Sequence, residues 1–149
     1  MATVAAIGTA LAARFAAGAM TAPTGYAAIR YSGTALPAKM PPLPAVLCFP
    51  TEGDFATGNG TRMGTQTWIV RFYYDQVGDL SRAQTALIAW LEVLADQLKG
   101  AAQLGGATSV ARATVDSWRI GVLDYASEAY MGIELTVSIR TTEAWAAVA

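Results

Sequence analysis

Between Gln66 and Gly100 the chain passes from a strand pattern to a helix pattern across the four residues Gln76-Val-Gly-Asp79, which sets a β–α unit at the centre of any fold it adopts. The run Gln66-Thr-Trp-Ile-Val-Arg-Phe-Tyr-Tyr-Asp75 is β-branched and aromatic, and it alternates. Trp68, Val70, Phe72 and Tyr74 share one face; Ile69, Arg71, Tyr73 and Asp75 share the other. From Leu80 to Lys99 the period changes, and Ala83, Leu87, Leu91, Leu94 and Leu98 recur every three or four residues as one apolar stripe. Ser81 and Gln84 fit a capping box, and Gly100 suits a terminator. These are packing groups without a reactive member, so function is expected in surfaces rather than in a catalytic centre.

The rest of the chain supplies partners for that unit. Ala129 to Thr141 alternates cleanly: Met131, Ile133, Leu135, Val137 and Ile139 form an apolar row that must cover helices or another sheet. Gly132, Glu134, Thr136, Ser138 and Arg140 form the opposite row, which reads equally as a solvated face or as a subunit interface. Thr108 to Trp118 reads as a strand, with Arg119 to Tyr125 a continuation or a second one. Near the N-terminus, Val4, Ile7, Leu11 and Phe15 make a helical stripe over residues 3–20. That segment lacks a basic start and carries Arg14 within its apolar core, so it is expected to be a retained surface helix rather than a leader, in a protein made in the cytoplasm. It is too short and too weakly hydrophobic to span a bilayer. Residues 21–44 are punctuated by Pro23, Pro37, Pro41, Pro42 and Pro44 and are expected to form an extended connector, with a short strand near Ala27 to Tyr31. A strand follows at Ala45 to Phe49. Thr51 to Gly64 is polar and glycine-laden, and reads as a long hairpin tip carrying Phe55 without a core. Its glycines do not make a phosphate cradle, because a strand and not a helix follows them.

The chain reads most simply as one domain, residues 1–149, with a flexible tail expected at 141–149. The expected class is α/β (α+β in arrangement): a mainly antiparallel mixed sheet with two helices packed on one face. Charged residues are 14 % of the chain, against roughly 25 % in typical soluble proteins. So few charges cover a small monomer poorly, and burial of surface in an oligomer is the economical explanation. The net charge is −1, and the two lysines and eight arginines are scattered singly, so no basic cluster is visible for gripping nucleic acid. There is no histidine, which removes Ser-His, Cys-His and His-metal arrangements. The eleven carboxylates are dispersed, without metal-ligand spacing. Cys48, the single cysteine, lies in an apolar run and reads as a small buried hydrophobe. No catalytic, cofactor-binding or metal-binding residue is assigned, and the chain is read as non-enzymatic.

Several segments carry a family resemblance: Leu43-Pro-Ala-Val-Leu-Cys-Phe-Pro50, Gln66 to Tyr74 with its following helix, Leu104-Gly-Gly106, Trp118-Arg-Ile-Gly-Val-Leu-Asp-Tyr-Ala126 and Tyr130-Met-Gly-Ile-Glu-Leu-Thr-Val137. Together, over about residues 3–141, they resemble the tail terminator (tail completion) proteins of long-tailed bacteriophages. The resemblance implies a virion protein of the tail neck, six copies of which form a ring capping the tail tube. Its partners would be itself, the tail-tube protein and the head–tail connector or stopper, with DNA only passing through the lumen and no membrane involved. A head–tail stopper or adaptor, or a tail-tube subunit, is the alternative within that class; a small ligand-binding or enzymatic α+β domain is the alternative outside it. The family fixes no interface residues. From the residues alone, the expected contacts are Asp54, Phe55, Asn59 and Arg62 in the long tip, Glu134 and Arg140 on the sheet, and Trp145 as an indole in the tail.

Overall fold

A computed structural model describes residues 4–58, 61–78, 80–99 and 110–144. Along these residues the elements run α1 (Val4–Ala13), β1 (Tyr31–Gly33), β2 (Ala45–Gly58), β3 (Thr61–Gln76), α2 (Leu80–Lys99), β4 (Val110–Tyr125) and β5 (Glu128–Ala144). The strands form one sheet in the order β1-β2-β3-β5-β4. β1 lies parallel to β2, and every other neighbouring pair is antiparallel. The fold is α+β, with both helices on one face of a mixed sheet.

That face follows from the alternation. Val46 and Cys48 of β2, Trp68, Val70 and Phe72 of β3, and Met131, Ile133, Leu135, Val137 and Ile139 of β5 are all buried in one cluster. Ile7 and Leu11 of α1 close over it at one side; Leu87, Trp90, Leu94 and Leu98 of α2 close over the rest. Rows at a period of two meet stripes at a period of 3.6, and one water-free layer results. Trp90 sits on Phe72, with ring centroids 4.7 Å apart. The expected stripe named Leu91 and passed over Trp90. The helix is rotated so that the larger indole is fully buried and Leu91 lies at the flank, because the wider ring removes more apolar surface from water.

Cys48 is buried, and burial pushes its thiol up to about 12. The buried thiol keeps its proton well above the ordinary value of 9.0. Its contribution to stability is therefore intact below pH 9 and is lost as pH rises from there to about 12. The native chain is expected to leave Ellman's reagent unreacted near neutral pH and to react at one thiol once denatured. Rapid native labelling would show the site to be open.

Three boundaries differ from the expectations, and β4 takes the continuous one of its two expected forms. The N-terminal helix ends at Ala13 rather than at residue 20. Beyond it the amides of Arg14, Phe15 and Ala16 bond three residues back, and Met20 N bonds Ala16 O at 3.0 Å. This turn buries both Phe15 and Met20, which a straight helix through the featureless Ala16-Ala17-Gly18 would not do. The first strand lies at Tyr31–Gly33, just after the expected Ala27 to Tyr31, where it pairs with Ala45–Leu47. β4 is one strand from Val110 to Tyr125. It turns into β5 through Ala126 and Ser127, both at positive φ (51° and 68°), the backbone that a two-residue hairpin needs. β5 extends to Ala144, so residues 141–144 of the expected flexible tail are paired with β3.

The largest correction concerns Thr51 to Gly64. It is not a fourteen-residue tip. β2 and β3 remain in register from Glu52↔Thr67 to Gly58↔Thr61, leaving only residues 59 and 60 between the paired ends. The segment is polar and glycine-rich, and its backbone ladders without an apolar row to announce it. The signal available was Asn59-Gly60, the dipeptide favoured between hairpin strands.

Candidate functional site: the open face of the sheet

The face turned away from the helices divides into three zones. At one end Leu47, Tyr73, Leu123 and Tyr130 are buried together, with Met40 and Leu43 of the connector and Tyr31 and Tyr125 packed against them. Tyr73 meets Tyr125 and Tyr130 edge-on, with centroids at 5.7 and 5.9 Å. Tyr125 Oη donates to the carbonyl of Pro37, which fastens the proline-rich connector across this end. The connector is thus laid over the body as expected, and it covers part of the row that includes Gly132.

In the middle, Glu134 accepts from Arg71 Nε at 2.8 Å and lies 3.7 Å from Arg119 Nη2. Arg71 also lies over the Phe49 ring, 5.4 Å from its centroid. Burial opposes the Arg71 charge, but hydrogen bonds to Glu134 and Tyr73 outweigh it and raise its pKa. Burial likewise raises the Tyr73 pKa, with Arg71 acting in the opposite direction. Glu134, expected as an interface residue, pairs with Arg71 and Arg119 of its own chain.

At the far end the face opens into a shallow depression of about 390 Å³ lined by Thr65, Arg112, Thr114, Asp116, Ser138 and Arg140. Arg140, expected from the sequence, sits here directly opposite Arg112 in the ladder. Ser138 Oγ donates to Asp116 Oδ2. The arginines looked scattered in the sequence. Strand pairing gathers Arg71, Arg112, Arg119 and Arg140 onto one face, a grouping that is not visible in the linear sequence.

The remaining expected contacts fall differently. Asp54, Phe55 and Arg62 are strand residues, paired with Thr65, Gly64 and Thr57; only their backbone is described. Asn59 and Trp145 lie outside the described residues.

The sequence reading passed over the edge of the sheet. β4 is an outer strand. Its Trp118 pairs with Leu135 and its Val122 with Met131, so both point to the helix side, yet they are 59 % and 47 % exposed. The signal was the same alternation, Trp118, Ile120 and Val122, read in a strand with no neighbour beyond it among the described residues. Register shifts at Val110/Arg112 and Val115/Ser117 bend this edge.

Among the described residues no group of three or more His, Cys, Asp or Glu side chains is placed to hold a metal ion. Among them, too, no helix is long and apolar enough to cross a membrane. No protein-family model and no curated protein matches the chain. The arrangement is suited to non-covalent contact: an apolar edge, a compensated ion triad and an open arginine pair.

Proposed function

We propose that this chain is a structural virion protein of a long-tailed phage, forming a ring that ends the tail tube and joins it to the head-side connector. The class comes from the resemblance carried by residues 43–50, 66–74, 104–106, 118–126 and 130–137. The observation that carries the assembly reading is Trp118: an indole 59 % exposed on an outer strand, in a chain with only 14 % charged residues. A large aromatic on an unpaired edge is the kind of group that anchors a protein interface. In a ring each copy offers one surface to the next, so edge β4 meets a different part of its neighbour. The reading extends to self-association, most simply as a hexamer, and to contact with tube and connector proteins.

Trp118→Ser tests it at one residue. The isolated chain should fold with little change in stability, because the indole is mainly exposed. Particles produced with that variant should show overlong tail tubes separate from filled heads by electron microscopy. Removing the whole gene should give the same image. Normal joined particles lacking this chain at the neck would sink the proposal.

A further inference from the structure

We propose that the depression between Arg112 and Arg140 is a binding site for a phosphate group. The two arginines are direct cross-strand partners, and both are exposed. Like charges facing each other across a ladder are destabilising unless something neutralises them. Elsewhere on the same face the fold does this itself: Arg71 and Arg119 converge on Glu134. Among the described residues no carboxylate lies within ion-pair distance of Arg112 or Arg140. Asp116, the one carboxylate among the described residues lining the depression, accepts from the Ser138 hydroxyl and makes no ion pair with either arginine.

The chemistry around the pair fits an oxyanion. Two guanidiniums present forked N–H donors that match phosphate oxygens bidentately. The Thr114 hydroxyl borders the same space, on the next rung of the ladder, where its partner Ser138 already donates to Asp116. Donors approaching from two strands and two rungs suit a tetrahedral group better than a planar carboxylate. The opening of about 390 Å³ admits such a group with several waters, each taking about 30 Å³. The register shifts at Val110/Arg112 and Val115/Ser117 bracket residues 112–115, and bulges are a common means of re-aiming side chains. The chain's net charge of −1 makes any such attraction local rather than general.

The test is thermal unfolding in phosphate-free buffer, with inorganic phosphate titrated against chloride at equal ionic strength. Wild type should gain roughly 3 °C at ten times Kd, saturably. Arg112→Gln and Arg140→Gln should melt at or above the wild-type temperature without phosphate, because repulsion is relieved, and should lose the phosphate-dependent gain. Amide shifts on adding phosphate should centre on residues 112–116 and 138–140. An equal rise in wild type and both variants, or no rise beyond that of chloride, would overturn the site. A short DNA duplex forms the second arm. Competition with phosphate that is lost in Arg112→Gln assigns the group to a nucleic-acid backbone; phosphate binding without duplex binding assigns it to a free or small-molecule phosphate.

Discussion

Trp90→Ala should lower the unfolding free energy by about 3–5 kcal/mol, a large part of the roughly 5–15 kcal/mol that holds a domain of this size. Trp90 is fully buried in the middle of α2 and meets Phe72, itself fully buried, with the rings tilted by 34° and their centroids 4.7 Å apart. Truncation empties the space between helix and sheet at the point where β3 and α2 lean on one another. At about 2–4 °C per kcal/mol, the midpoint should fall by roughly 10 °C. The indole has a second property that separates volume from hydrogen bonding: its Nε1 is buried without a partner among the described residues. Leaving a donor desolvated and unbonded is unfavourable by about 1–3 kcal/mol. Trp90→Phe removes that donor while retaining most of the ring, so its loss should be less than half that of the alanine variant. Urea unfolding followed by circular dichroism measures both. Equal losses for Phe and Ala would show that the indole N–H does have a partner and that ring volume is not the main term.

The fold was largely legible because its strongest signals are periodic and face the same layer. Met131 to Ile139 and Trp68 to Phe72 are rows of large apolar residues at a period of two, and all of them are buried. Signals weakened wherever no core lay beneath. Glu52 to Gly58 and Thr61 to Gly64 are paired strand, but their sequence does not announce it, since a hairpin needs only backbone hydrogen bonds and a short turn. The candidate site was legible only in pieces. Arg140 could be placed on the sheet from its own strand. Its pairing with Arg112, twenty-eight positions earlier, depends on the β4–β5 register and on the bulge at Val110/Arg112, neither of which local pattern reveals. Trp118 illustrates the same limit. Alternation places it on the core side, and only the strand order shows that its strand is outermost and the indole therefore uncovered.

Gly132→Ala should be unfavourable by about 2–4 kcal/mol, although alanine is ordinarily the better strand residue. Gly132 lies in β5, paired to Tyr73 on one side and Gly121 on the other. A Cβ there would stand 2.3 Å from the Phe72 carbonyl oxygen and 2.8 Å from Leu123 Cδ1. The leucine tip can turn aside, but the carbonyl belongs to a central strand and moves only with the ladder. The neighbouring register shift between Tyr73 and Asp75 explains the close approach: the bulge presses the β3 backbone towards β5 at this rung. Gly121 supplies the control, since a Cβ there meets nothing closer than Arg119 Nη1 at 4.0 Å. Gly121→Ala should therefore be neutral within about 0.5 kcal/mol or slightly stabilising. The strain in Gly132→Ala should spread to the tyrosines beside it, because Tyr73 and Leu123 are shared with the cluster that holds the connector down. Limited proteolysis should then cut within residues 34–44 faster in that variant than in wild type or Gly121→Ala. Equal stability of the two alanine variants would mean that β3 and β5 are not as close at this rung as their register requires.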